Sequence, residues 1–191
     1  SLFTDRAISY REDKKFNHFK VFLSVAVQKL IYSKASGVMF TIDPDSGHRN
    51  FIYINGSYGL GDYIVQGRVN PDDFIVLKST MTIIEKKLGK KDVMEVRSHY
   101  GVHGKSVPKA MRNRFVLTDK EVLQLARYGL MIEKHYGRPM DIEWAKDGKQ
   151  IYIIQARPET VHSSKKKNIY EEFKLLGKGK CLVKGTAIGR K

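Results

Sequence analysis

Met140-Asp141-Ile142-Glu143-Trp144-Ala145-Lys146-Asp147-Gly148-Lys149-Gln150-Ile151-Tyr152-Ile153-Ile154-Gln155-Ala156-Arg157-Pro158 is the stretch on which the fold turns. Two strand-like runs, 140–145 and 150–156, flank Lys146-Asp147-Gly148-Lys149, the clearest hairpin signal in the chain. Side chains two apart on a strand share a face, so Asp141 and Glu143 point together, as do Gln155 and Arg157. Whether the two pairs meet depends on register. A two-residue turn at Asp147-Gly148 sets Glu143 opposite Tyr152 and sends Gln155 to the other face. A three-residue loop, Asp147-Gly148-Lys149, sets Asp141 opposite Gln155 and Glu143 opposite Ile153, so that acids, amide and guanidinium share one face. The expectation is an odd-length loop.

Those residue types suit nucleotide chemistry. Mg²⁺ takes oxygen ligands at close range and is commonly held by one or two protein groups plus phosphates, which Glu143 and the Gln155 amide oxygen can supply. Arg157 offers a planar fork for phosphate oxygens and can stabilise charge during phosphoryl transfer, while Asp141 can hold a second metal or the local geometry. The plainer alternative is an exposed edge hairpin whose acids pair with Arg157, an arrangement that contributes only ~0–1 kcal/mol. Spacing alone leaves both readings open.

Outward from the hairpin, Thr118-Asp119-Lys120-Glu121 is a capping box that starts a helix. Val122, Leu125, Ala126, Gly129, Ile132 and Tyr136 recur at helical spacing, and Gly137 with Pro139 ends the helix near Tyr136. Val21 to Ile31 and Gly37 to Ile42 read as two adjacent buried strands, Asp43 to Gly47 as a turn and Phe51 to Ile54 as a third strand. Gly56 to Asp62 is a glycine loop leading into about one helical turn at Tyr63 to Gln66. Phe74 to Leu77 and Thr82 to Lys86 form a further strand pair, and Lys90 to Pro108 reads as an irregular, exposed excursion.

The chain has 191 residues, 41% hydrophobic and 29% charged, which is globular composition and enough length for a real core. It shows no run of eighteen apolar residues and no secretory layout at its start, so a cytoplasmic, non-membrane protein is expected. The lone Cys181 offers no internal disulfide and suits a reducing compartment. The net charge of +15 attracts anions, and a basic nucleic-acid-binding module is the competing non-enzyme reading. The clusters at Lys86-Lys87, Lys90-Lys91, Lys165 to Lys167 and Lys178 to Lys184 lack interleaved aromatics, so they read as solvated surface and no specific nucleic acid is expected. His99 and His103 are four apart, but Gly101 and Gly104 argue against a helix presenting them as metal ligands.

Ser1 to Arg11, Ala35-Ser36-Gly37-Val38-Met39-Phe40, Tyr58-Gly59-Leu60-Gly61 with Val65-Gln66-Gly67, and Met140 to Lys146 with Gln155 to Thr160 closely resemble the phosphoenolpyruvate synthase (pyruvate, water dikinase) family. The resemblance implies an α+β fold, an ATP-grasp subdomain with a mainly antiparallel sheet and packed helices. It divides the chain into the C-terminal part of the ATP-grasp nucleotide-binding domain at 1–160, a linker at 161–180, and the truncated start of a phosphohistidine swivelling domain at 181–191. By position it makes Glu143 and Gln155 the Mg²⁺ ligands and Arg157 the phosphate contact with Asp141 its companion acid. Gln28, Lys29 and Leu30 then hold adenine, and Asp62 stands where the family usually has glutamate beside the nucleotide. ATP is the implied substrate, and pyruvate enters only in the full-length enzyme. The implied partners are an N-terminal ATP-grasp subdomain and a phosphohistidine domain, and this chain by itself is expected to be inactive. Another ATP-grasp dikinase with a different acceptor is the neighbouring alternative.

Overall fold

The computed structural model describes residues 2–160. The linker and swivelling-domain expectations at 161–180 and 181–191, Cys181, and the lysine clusters from Lys165 onward lie outside those residues. The chain divides into two units, Ser1–Ile31 and Tyr32–Lys191.

In the first unit, helix α1 (Asp5–Asp13) is capped by Thr4, whose hydroxyl accepts from the Ala7 N–H at 3.4 Å. Arg11 is buried and its Nε donates to His18 Nδ1 at 2.9 Å, at the start of a 3₁₀ turn, His18–Lys20. The strand expected over Val21 to Ile31 is not formed. Phe22, Val25 and Val27 are 86%, 81% and 97% exposed. Branched side chains favour a strand only where a pleated surface receives them, and this segment joins no ladder among the described residues.

The second unit is built on one antiparallel sheet of six strands: β1 (Ala35–Phe40), β2 (Phe51–Tyr58), β3 (Asp72–Leu77), β4 (Thr82–Lys87), β7 (Met140–Lys146) and β8 (Ile151–Pro158), in the order β4-β3-β2-β1-β7-β8. The α+β expectation holds. A short helix, α2 (Asp62–Val65), follows the glycine loop, and α3 (Lys109–Arg112) precedes α4 (Asp119–Tyr136). Helix α4 has both halves of the capping box and ends at left-handed Gly137, φ 67°. Its Val122, Leu125 and Ala126 are fully buried against Met39, Ile52, Ile54, Phe74, Ile142 and Trp144 on one sheet face. Each large aliphatic side chain so buried stabilises the fold by about 1.5–3 kcal/mol. No helix among the described residues is long and apolar enough to cross a membrane.

Trp144 packs against two glycines. A Cβ on Gly37 would lie 1.9 Å from the Asn55 carbonyl and 2.7 Å from the Trp144 ring, and one on Gly56 would lie 2.8 Å from that ring. The indole needs both glycines beside it.

Two expectations about the region after β4 are corrected. Residues 90–108 are not irregular: β5 (Val93–Ser98) and β6 (Gly101–Ser106) form a regular hairpin, hidden in the sequence because β6 is exposed along its whole length and lacks an apolar alternation. Lys91 is not solvated either. It is completely buried, donating to Asp72 Oδ1 and, at 3.0 Å, to the Gly89 carbonyl. Asp72 also accepts from the N–H groups of Gly89 at 2.8 Å and Val116 at 2.9 Å. The carboxylate thus gathers three chain segments, and the ammonium is the charge that makes its burial tolerable.

Candidate nucleotide and metal site

The β7–β8 hairpin places Asp141 opposite Arg157 and Glu143 opposite Gln155. Residues opposite one another in a ladder share a face, so all four lie together, on the face opposite the α4-covered core. The route to that arrangement differs from the expected odd-length loop. Lys146 pairs with Ile151, and the Asp147 N–H donates to the Gln150 carbonyl at 3.2 Å around Gly148, φ 104°. The Asp147 carboxylate fixes this even turn by accepting from the Lys149 and Gln150 N–H groups at 2.8 and 2.9 Å. Left alone, an even turn would send Gln155 to the core face. A β-bulge at Ile154 adds one residue to β8 between the Trp144–Ile153 and Glu143–Gln155 pairs and restores the parity. The core demands the same bulge, since Ile151, Ile153 and Ala156 pack against it on the opposite face.

Arg157 donates from Nε to Asp141 Oδ2 at 2.8 Å, and its Nη2 lies 2.8 Å from the same oxygen in an ion pair. The acid is 12% exposed and the guanidinium 62%. Asp141 therefore steers Arg157 while the guanidinium's other N–H groups face outward. Glu143 is half-buried and Gln155 exposed, and the two stand opposite each other at one ladder step. A carboxylate and an amide oxygen are the hard donors Mg²⁺ accepts, and two protein donors suffice where phosphates complete the shell. Among the described residues no group of three or more His, Cys, Asp or Glu could hold a metal. Any metal here would lean on its substrate.

Along the same face, β1 sets Phe40 beside Asp141, Val38 beside Glu143 and Ser36 beside Ala145. The glycine loop folds over the Ser36 end, where the Ser36 hydroxyl donates to the Gly59 carbonyl at 2.8 Å. Asp62, exposed at the start of α2, therefore stands at that end and not against the Asp141–Arg157 pair. From Ser36 to Phe40 is about 13 Å at the usual strand rise. Gln28, Lys29 and Leu30 belong to the first unit, in the exposed segment that forms no strand.

Sequence reasoning missed Glu95. Its carbonyl accepts the Leu60 N–H at 2.9 Å, so the β5–β6 hairpin braces the glycine loop. Burial pushes the Glu95 carboxyl above its ordinary range, the nearby Asp62 charge adds to this and Arg68 opposes it. Its Oε2 is buried without a hydrogen-bond partner. The only sequence signal was Glu95 standing between Met94 and Val96 in an otherwise polar stretch.

Residues 1–176 match the family described as pyruvate phosphate dikinase, AMP/ATP-binding domain. The whole chain is 47% identical to a phosphoenolpyruvate synthase of Aquifex aeolicus and 47% identical to one of Pseudomonas aeruginosa, covering 25% and 26% of those proteins. It is 45% identical to the phosphoenolpyruvate synthase of Escherichia coli, again over its full length and 26% of the relative. The chain thus spans about a quarter of the length of the curated relatives it matches. The matched domain is the N-terminal, nucleotide-binding part of such enzymes, and that coarser position replaces the C-terminal part of an ATP-grasp domain, which the matches do not support. A match over residues 1–176 and near-half identity along the full chain lead to one conclusion: the chain belongs to the pyruvate phosphate dikinase AMP/ATP-binding domain family.

Proposed function

We propose that the face carrying Glu143, Gln155, Asp141 and Arg157 binds Mg·ATP, within a parent enzyme that converts ATP, pyruvate and water to AMP, phosphoenolpyruvate and phosphate. The observation that carries the reading is the ladder register that sets Glu143 against Gln155 and Asp141 against Arg157. The relatives' name, phosphoenolpyruvate synthase, supports the reaction. Glu143 and Gln155 would hold the cation, and bound Mg²⁺ would neutralise charge on the phosphates. Arg157, aimed by Asp141, contacts the transferring phosphoryl group, and its outward N–H groups are the donors that strengthen as charge develops there.

In this reading the phosphoryl group passes to a histidine on a separate swivelling domain, and Asp62 is a further nucleotide contact of the second unit. The chain on its own is inactive, because it offers one side of a two-sided clamp and lacks the preorganisation that positions reactants. Glu143→Ala or Arg157→Ala in the intact enzyme abolishes ATP-dependent histidine phosphorylation, followed with γ- and β-labelled ATP. Retained labelling in either variant overturns the site. A salt titration against RNA and DNA separates the nucleic-acid alternative, which requires a steep slope of affinity against salt.

A further inference from the structure

Where β1 begins, a cavity of about 500 Å³ opens between the strand ends, β5 and α3. One rung of the ladder fixes its side of the sheet. Ala35 pairs with both Tyr58 and Lys146. Ala35 is buried in the core, Tyr58 packs against that core, and the Lys146 ammonium reaches Glu121 of α4 at 2.5 Å. The cavity therefore lies on the α4 side, and Glu143 and Gln155 lie on the other.

Its walls are mainly apolar. Met94 and Val96, two apart on β5, share the face turned to the cavity. Met111 and Val116 close the opposite side, and the Tyr58 hydroxyl pins α3 there by donating to the Met111 carbonyl at 3.0 Å. The Tyr58 hydroxyl and the Lys146 ammonium are thus already engaged. Lys34 is not: it lines the cavity, its side chain is exposed, and no carboxylate among the described residues pairs with it. Its backbone is braced on both sides, the N–H donating to the Lys146 carbonyl at 2.8 Å and the carbonyl accepting the Gly59 N–H at 3.0 Å. Its stem crosses the hairpin turn, where a Cβ on Gly148 would lie 2.9 Å from Lys34 Cδ and 3.0 Å from Nζ. Glycine leaves the room that this ammonium occupies.

An apolar cavity with one unengaged cation at its mouth selects an amphipathic anion, tail inward and charge outward. One ammonium balances one negative charge. A carboxylate is matched, whereas a phosphate monoester would bring a second charge that finds no partner beside an apolar wall. Met94 and Met111 are unbranched and adapt to a flexible chain better than to one rigid shape. We propose that this cavity binds an aliphatic carboxylate of medium chain length, with its chain between Met94, Val96 and Met111 and its carboxylate at Lys34.

The test is a titration of the full chain with decanoate, followed through the NMR signals of the six methionine methyl groups. Met94 and Met111 shift saturably, while core Met39 and Met140 and exposed Met131 hold still. Decanol, the same chain without the charge, binds about fivefold more weakly, as expected for one exposed ion pair. Acetate, the charge without the chain, shifts nothing at the same concentrations. Lys34→Gln brings decanoate down to the affinity of decanol, leaves decanol binding unchanged, and removes the salt dependence of decanoate binding. Val96→Trp fills the cavity and abolishes binding of both, with unchanged Met39 and Met140 signals establishing an intact core. Three results overturn the proposal: no saturable shift at Met94 and Met111, a parallel shift at Met131 that marks surfactant adsorption, or decanoate affinity that is the same with and without the Lys34 charge.

Discussion

Two acid–base pairs, Asp72–Lys91 and Asp141–Arg157, use the same chemistry for opposite ends. The first has both side chains at 0% exposure and spends every oxygen of its acid on the fold. The second leaves its guanidinium 62% exposed and commits only part of it. A charge hidden from water must be matched completely, so it stabilises structure and can do nothing else. A charge held at the surface contributes little to stability and remains available to a ligand.

The sharpest break of that contrast is Lys91→Ala. Stranding the Asp72 carboxylate in the core costs about 3–5 kcal/mol, a large share of the stability of any domain, measured by urea unfolding. A loss below about 1 kcal/mol would mean the carboxylate is not confined as described. Converting the pair together, Asp72→Asn with Lys91→Met, recovers part of the loss because no lone charge remains.

Lys78 and Glu133 test the middle of the range, at 15% and 21% exposure, with Lys78 also donating to the Thr41 carbonyl at 2.6 Å. Glu133→Gln costs about 1–2 kcal/mol by the same unfolding measurement. An effect as large as that at Lys91 would show that burial does not rank these pairs.

Glu121 adds a dependence on pH. Burial alone would raise its carboxyl, but the bond from Lys146 and those from the Thr118 N–H and hydroxyl outweigh it and hold the group below the ordinary range. A depressed acid lends stability above its unfolded-state pKa and loses it as pH falls through the folded value. Glu121→Gln therefore lowers stability at neutral pH by about 1 kcal/mol or less and flattens the acid limb of the stability curve below about pH 4. An unchanged acid limb would remove the pair from this series.

The smallest effect belongs to Arg157→Ala, about 0–1 kcal/mol and shrinking further in salt, even though the same change is the one proposed to abolish phosphoryl transfer. A loss above about 2 kcal/mol would make Arg157 a structural residue and dissolve the contrast.

Local signals carried much of the fold. The Thr118–Glu121 box and Gly137 cap are complete within a few residues, and the helix they bound formed as written. The hairpin was legible too, and with it the four side chains on one face. Its loop parity was not, because the Ile154 bulge answers to a distant core that must receive Ile151, Ile153 and Ala156. Lys91 was opaque for a related reason. Its partner, Asp72, is nineteen residues away, and a lysine beside Lys90 looks like surface until that carboxylate is placed. Val21 to Ile31 failed in reverse, since branched composition promised a strand that no neighbour pairs.

The bulge has a consequence for inheritance. Gain or loss of a single codon within Asp147–Gln150 would invert every later side chain of β8, exchanging Gln155 and Arg157 for hydrophobic neighbours. Such a change is viable only with a second indel that cancels the first. The hairpin can therefore drift freely in composition at its tip, but in length it is expected to change only by compensated steps.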